Sequence, residues 1–566
     1  MDNAAARESF ASEIYEAGVQ RAKADILDRL PPKFSAMHRQ GEIHIHDLES
    51  FGKLYNCCTP DLIPYLVRHS QAGASERAVI TGVFETIRLL ITRLAVVQSG
   101  GIGFGNLDYD LEDWFSKQGV CPTEENTAIL AEAVQNFIRW VNEDRTRFCR
   151  ETYYLTLNLG LATGFWGRAV TRAVLCALES APSRYTKPNV VFKVCGAVNG
   201  RKDAVNYDLF QLALHCTARR MIPTYLLMDS KPNRDCDPRR LNIMGCRTRV
   251  YDNVRGPTGT VGRGNIAYVS VNLPRIALRA RAQQGFFQDL TKTMEDCCNL
   301  LELRNRWMIE TQGKYVDFVM AEQLWTGVST LDELLEQGTY SIGFIGLAET
   351  VEILSGKKLH QSETAQKLAE RIISFMRRFA VEQRERSGHT VSLLATPGEM
   401  ISGRFCELDR TKYPSPVQDK GFYTNSFHVE VDAGISPFQK LKLEAPFHTL
   451  CNGGAISYVE CSGAFLDNTQ AVADLIDYAE QAGISYLGIN FPLDICRACG
   501  QSGTFDVCPT CGSDQVNHLR RVSGYLEDTA FFTSGKKQEV LFRTPNFPSE
   551  YGRTHAFRQI ERRPDL

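Results

Sequence analysis

No apolar run in this 566-residue chain approaches the ~20 residues that a membrane-spanning helix needs, which excludes a helical membrane protein. The N-terminal stretch from Met1 to Glu8 lacks a basic segment followed by an apolar one, so no secretory leader is expected and the cytoplasm is the expected location. Charge of one sign is lacking too. The 64 Lys and Arg residues nearly balance 66 Asp and Glu, leaving a net charge of −2 and no electrostatic case for nucleic acid or an anionic membrane as the main partner. Repeats, low-complexity tracts and long Pro/Ser/Gly linkers are absent between residues 30 and 490, so that span reads as one continuous domain rather than an array.

What the chain does have is a 43% hydrophobic fraction and enough length for one large barrel or several ordinary domains. Ala78, Val79, Val83, Phe84, Ile87, Leu90, Ile91 and Leu94 recur at helical spacing, as do Leu368, Ile372, Phe375, Met376 and Phe379. Strand-like runs lie at Ile266–Val271, Ile342–Ile345, Thr390–Leu394 and Ile484–Ile489. Such alternation predicts an α/β fold with a substantially parallel, centrally buried sheet. Periodicity alone does not separate a closed barrel from an open sheet. From Thr544 onward the sequence reads as an irregular tail.

The 18 cysteines suit a reducing compartment in which thiols serve as core residues, metal ligands or reactive groups. Four stand apart. Cys496 and Cys499 form one C-x-x-C turn and Cys508 and Cys511 another, and two such turns can complete a tetrahedral sulfur set for structural zinc. Iron in the same set, a redox dithiol and a nucleic-acid-binding zinc ribbon are the alternatives; the mixed surrounding charge disfavours the ribbon. Shortly after the cysteines comes Arg521-Val-Ser-Gly-Tyr525. A backbone Cα radical is stabilised between an amide donor and a carbonyl acceptor, and only glycine leaves that carbon without a side chain, so Gly524 suits a stored radical. A segment near the C-terminus can also move out to meet an activating enzyme and return. Taken alone, Ser-Gly-Tyr reads as a simple turn.

Gly41–Asp47, Tyr55–Cys58, Gln98–Gly101, Met244–Arg247, Gly262–Asn265, Asn272–Ile276, Gly343–Gly346, Ala395–Glu399, Tyr423–Ser426 and the cysteine-plus-glycine terminus follow one another in an order that resembles the anaerobic, class III ribonucleoside-triphosphate reductases, a glycyl radical family. The resemblance spans most of the chain. It implies a ten-stranded α/β barrel with a central finger loop over residues 1–490, a four-cysteine zinc module at 491–515, and a glycyl radical segment with tail at 516–566. It places the thiyl radical on Cys246 and the reducing thiol on Cys57, with Cys58 on the opposite face of the strand and the choice between the two left open. It assigns Asn272 to positioning formate and substrate, which makes formate the expected reductant and a thioredoxin-type donor the competitor. Thr396, Tyr423, Thr424, Asn425 and Ser426 would line the substrate site, although loop turns and helix caps explain each as well. His44 and His46 share one face of a strand and read as a structural pair.

The same resemblance implies a radical S-adenosylmethionine activating enzyme as partner, ribonucleoside triphosphates as substrates, deoxynucleotide specificity effectors and a homodimer, with the helix around residues 75–97 as a candidate for effector control. Residues 1–30 are too few for the ATP-binding cone that begins many members, so none is expected. Ser523 stands where many members have cysteine. The rival readings are another glycyl radical enzyme, an acyltransferase or lyase; a non-catalytic zinc-ribbon protein that binds nucleic acid; and a regulatory paralogue that has lost turnover.

Overall fold

The computed structural model describes residues 9–144, 153–280, 282–521 and 523–546. The tail expected from residue 544 therefore falls largely outside the described residues, as do the first eight positions. Eleven strands form the main sheet: β1 (Ile43–Ile45), β2 (Cys57–Thr59), β3 (Ile102–Phe104), β4 (Leu155–Leu159), β5 (Asn189–Val194), β6 (Thr224–Leu227), β7 (Arg263–Asn272), β8 (Thr339–Ile345), β9 (Thr390–Ala395), β10 (Ser457–Glu460) and β11 (Tyr486–Asn490). A smaller sheet uses β12 (Leu493–Cys496), β13 (Ser502–Gly503), β14 (Val516–Arg521) and β15 (Leu526–Asp528).

In the large sheet the order is β10-β11-β6-β5-β4-β3-β2-β7-β8-β9, with β1 added against β7. Strands β2 to β6 run parallel, as do β7 to β9 and the pair β10 and β11. The joints β2–β7 and β6–β11 are antiparallel. The ends of the order meet: Leu394 bridges Gly454 in the parallel sense, and Ala395 N donates to Gly454 O at 3.0 Å. Two parallel halves thus close into a ten-stranded barrel, the choice that periodicity left open.

Every strand of the barrel is buried on both faces, yet the faces differ in chemistry. Along β4, Leu155, Leu157 and Leu159 point outward into the apolar shell beneath the helices. Thr156 and Asn158 alternate inward and bond the loop that connects β6 to β7. The pattern repeats in β8, where Tyr340, Ile342 and Phe344 face the shell while Ser341 bonds Asn265 at 3.1 Å inside. Helices cover the outside. Glu76–Val97 starts from a Ser75 cap and buries Val83, Phe84, Ile87, Leu90, Ile91 and Leu94 of the face read from the sequence, with Ile80 in addition, while Ala78 is exposed and Val79 half-buried. Glu363–Ser387 likewise buries Leu368, Ile372 and Met376 and stops at Gly388, where φ is +70°.

The small sheet has the order β13-β12-β14-β15. Its strands come from both sides of residue 515, so the expected metal module and the segment after it are built as one sheet.

Candidate active site

The loop between β6 and β7 runs through the barrel interior and ends in a tight tip. Met244 and Thr248 exchange backbone hydrogen bonds of 3.0 and 3.1 Å, leaving Gly245, Cys246 and Arg247 at the turn, with Gly245 at φ +60°. Asn158 in β4 acts like a length of strand. Its amide nitrogen donates to Ile243 O at 2.8 Å, and its amide oxygen accepts from Ile243 N at 2.9 Å. The Thr156 hydroxyl donates to Gly245 O at 2.8 Å. Cys246 is therefore carried by a braced tip rather than a free loop.

Cys57 faces this tip. It packs inward with Met244 and Val250, whereas Cys58 points into the outer shell, as strand alternation requires. Gly101 N donates to Cys57 Sγ at 3.1 Å. The approach depends on two glycines without side chains: a Cβ on Gly100 would lie 2.5 Å from Cys57 Sγ, and one on Gly101 would lie 2.8 Å from Gly245 Cα. Burial pushes both the Cys57 and Cys246 thiols above the ordinary cysteine range; beside Cys246, the Arg247 guanidinium only partly opposes this. Both sulfurs keep their protons at neutral pH, which suits hydrogen-atom exchange and not thiolate attack.

The turn between β14 and β15 inserts against the same tip. Gly524 is buried, and a Cβ added to it would lie 2.4 Å from Cys246 Cβ and 2.7 Å from Cys246 Cα. On either side, Ser523 Oγ and Tyr525 OH donate to the two oxygens of Glu399 at 2.5 and 2.6 Å. Arg247 and Tyr458 both donate to the Ser523 carbonyl. Arg521 Nη1 donates to the Gly524 carbonyl at 2.9 Å. Glu399 and Lys187 are residues of this site that motif reading did not single out by role; the only signal was the Ala395–Glu399 motif, which marks a loop without saying what Glu399 holds.

Between Cys57, Cys246 and Tyr525 lies a cavity lined also by His46, Asp47, Asn56, Ser99, Thr156, Lys187, Asn189, Tyr268, Pro397 and Glu399. Its mixed lining, with a lysine, two carboxylates and several amides and hydroxyls among apolar groups, suits a polar small molecule. His46 stacks on Tyr268 with ring centroids 3.8 Å apart, and its Nε2 lies 2.8 Å from Ser270 Oγ. Thr396 joins through a 2.8 Å contact with Ser270, so it reaches the cavity at second hand.

Other expected residues lie elsewhere. Asn272 is at the far end of β7, where its amide donates to Gly41 O and to Asp409 Oδ2 at 2.9 and 3.0 Å, within a buried Arg275–Asp409 ion pair. Tyr423 donates to the same Asp409 at 2.8 Å. Thr424 bonds Glu349 through both its backbone N–H and its hydroxyl, at 2.7 and 2.6 Å. Asn425 lines a neighbouring cavity, and Ser426 occupies a left-handed turn with φ +42°. None of Asn272, Tyr423, Thr424, Asn425 and Ser426 lines the cavity that holds the two thiols. The asparagines that line it are Asn56 and Asn189; Asn265, paired in register with Cys57, reaches it through Asn56, to whose amide oxygen it donates at 3.4 Å. The Gly262–Asn265 motif contained it, but nothing in the sequence distinguished it from Asn272.

At the far end of the small sheet, Cys496, Cys499, Cys508 and Cys511 bring their sulfurs within 4.8 Å of one another. The Cys496–Cys511 and Cys499–Cys508 sulfur pairs are 3.5 and 3.6 Å apart. A tetrahedral ion with metal–sulfur bonds of about 2.3 Å requires edges of about 3.8 Å, so the set fits zinc. Gly500 and Gly512, at φ +77° and +72°, close the two turns by donating to the Cys496 and Cys508 carbonyls. The backbone N–H of Cys499 lowers the Cys496 thiol to about 6, toward the thiolate a metal needs.

A family model described as anaerobic ribonucleoside-triphosphate reductase matches residues 2–545. The anaerobic ribonucleoside-triphosphate reductase of Enterobacteria phage T4 is 30% identical over 573 residues, covering 92% of each chain. That of Escherichia coli (strain K12) is 29% identical over 562 residues, covering 91% of this chain and 78% of the relative. Among solved structures, the anaerobic ribonucleotide reductase from Thermotoga maritima with glycerol in the active site superposes with a TM-score of 0.71 at 15% identity, over 94% of this chain and 90% of that one. Hydroxyproline dehydratase from Clostridioides difficile gives a TM-score of 0.59 at 11% identity, over 92% and 83%. At these identities the structures show the fold alone, while the family match covers nearly the whole chain: the protein belongs to the anaerobic ribonucleoside-triphosphate reductases, a family of oxidoreductases.

Proposed function

We propose that this chain reduces ribonucleoside triphosphates to deoxyribonucleoside triphosphates by moving a radical from Gly524 to Cys246 and then to the ribose. The observation that carries the reading is the contact of the Gly524 backbone with Cys246 at the edge of a cavity that also holds Cys57. In the first step a hydrogen atom passes from the Cys246 S–H to the Gly524 Cα: one S–H bond breaks, one C–H bond forms, and no net charge moves. The Cys246 thiyl then takes the hydrogen from ribose C3′, the 2′-hydroxyl leaves as water, and Cys57 supplies hydrogen to C2′. Formate then gives its hydrogen atom to the Cys57 thiyl and one electron, with a proton, to the 3′-ketone as it leaves as CO₂, and Cys246 returns its hydrogen to the resulting C3′ radical and becomes the thiyl again.

Formate is the reductant in this proposal, with the balance NTP + HCOO⁻ + H⁺ → dNTP + CO₂ + H₂O. The expected positioning amide, Asn272, does not line the cavity, and this reading assigns the role to Asn265, which lies opposite Cys57 and bonds the lining Asn56. A radical S-adenosylmethionine enzyme would generate the Gly524 radical, and zinc at the four cysteines would hold β12 and β14, the strand that leads into the Gly524 turn. Deoxynucleotide effectors and a homodimer complete the reading, in line with a family relative solved in complex with dATP and CTP. No helix among the described residues is long and apolar enough to cross a membrane, in keeping with a cytoplasmic enzyme.

The test is deoxynucleotide formation by the activated enzyme without oxygen, with formate, with a thioredoxin system, and with neither. Turnover with formate and ¹⁴CO₂ release from labelled formate supports the reading. Turnover with thioredoxin alone replaces the reductant, and no nucleotide reduction under any donor refutes the function.

A further inference from the structure

The turn that carries Gly524 is held through its carbonyl oxygens by cations. Arg543 donates to the carbonyl of Arg521 at 2.9 Å, Arg247 to that of Ser523, Arg521 to that of Gly524 at 2.9 Å, and Lys187 to that of Leu526 at 3.3 Å. Of these four, one touches the carbonyl directly conjugated with the Gly524 Cα. Arg521 is 2% exposed, and its other nitrogens are tied to Asn490 Oδ1 and Met221 O, so the guanidinium is fixed in place with Nη1 aimed at the Gly524 oxygen.

We propose that Arg521 is a positioning residue that tunes the Gly524 radical by drawing spin from Cα onto the carbonyl oxygen. This rests on the radical reading above. In a glycyl radical the unpaired electron is shared between Cα, the amide nitrogen as donor and the carbonyl as acceptor. A charged donor on the carbonyl oxygen lowers the energy of the form that places the spin there, and in a buried site that polarisation is little screened. Delocalisation stabilises Gly524• relative to the Cys246 thiyl. Arg521 thereby biases the exchange Gly524• + HS–Cys246 ⇌ Gly524–H + •S–Cys246 to the left, so that the electron rests on carbon until substrate draws the thiyl state forward.

The experiment compares high-field electron paramagnetic resonance spectra of activated full-length protein with wild-type sequence, Arg521→Gln, Arg521→Lys and Arg543→Gln. Arg543→Gln loosens the same turn at a carbonyl not conjugated with Gly524. The expected result for Arg521→Gln is a wider α-proton splitting and a narrower spread of g-values, since spin returns from oxygen to Cα. Arg521→Lys should fall between it and the wild type, and Arg543→Gln should match the wild type. Wild-type splitting in Arg521→Gln, or an equal change in Arg543→Gln, overturns the proposal. If Arg521→Gln accumulates no radical, the Arg521→Lys spectrum decides: unaltered splitting overturns the proposal and widened splitting supports it. Absence of any radical in the wild type would instead defeat the reading beneath it.

Discussion

Gly524 and Cys246 are packed so closely that a single methyl group cannot be placed between them: a Cβ on Gly524 would sit 2.4 Å from Cys246 Cβ. Gly524→Ala is therefore expected to do two things. It should abolish the radical signal and nucleotide reduction, and it should displace the turn at an overpacking cost of about 1–3 kcal/mol, read by denaturant unfolding.

Cys57 and Cys58 should separate cleanly. Cys57→Ser leaves the radical intact and removes deoxynucleotide formation, because the hydroxyl O–H bond is too strong to give up its hydrogen. Cys58→Ser keeps turnover but places a hydroxyl in the apolar shell, costing about 1–3 kcal/mol of stability. Paired turnover assays and denaturant melts check both outcomes.

For the amide proposed to position formate, Asn265→Ala is expected to raise the formate KM at least tenfold, beyond the stability lost with its buried Ser341 bond. Asn272→Ala is expected to act mainly on stability, since it strips a partner from the buried Asp409 carboxylate. Formate titrations beside thermal melts discriminate the two.

Burial pushes the Glu349 carboxyl up to about 7, against the hydrogen bonds from Thr424 that favour its charge. A carboxyl whose folded pKa exceeds its unfolded value binds more protons folded than unfolded. Its contribution thus destabilises progressively as pH rises from about 4.5 to about 7 and is level above that. Glu349→Gln should be more stable relative to wild type at pH 8 than at pH 4.5, read from unfolding curves at both values.

How much of this was legible in the chain follows from which interactions are local. The four-cysteine set was, because each C-x-x-C turn closes on itself within a few residues. So were β7, β8, β9 and β11, whose apolar faces alternate against one shell, and the helix at Glu76–Val97, whose cap and stripe are contiguous. The two asparagines of β7 were not. Both lie on one strand, and the register shift between Asn265 and Ala267 upsets the count by which a reader assigns faces. Tyr423 and Thr424 carry hydroxyls that suit a phosphate site, yet distant carboxylates, Asp409 and Glu349, claim them. The grip of Glu399 on Ser523 and Tyr525 spans more than a hundred residues of sequence and leaves no periodic trace.

Metal removal should act through β14. Chelation, or Cys496→Ser, is expected to release the small sheet and misplace the Gly524 turn, lowering the radical yield on activation while the barrel stays folded. Zinc analysis, radical yield and far-ultraviolet circular dichroism of the same sample check this.

The most direct test of the account is electron paramagnetic resonance on anaerobically activated Cys246→Ser protein, with deoxynucleotide formation measured on the same sample. The expected result is a glycyl doublet as intense as in the wild type and no nucleotide reduction. Undiminished turnover by Cys246→Ser, or a wild-type doublet that persists in Gly524→Ala, would contradict it.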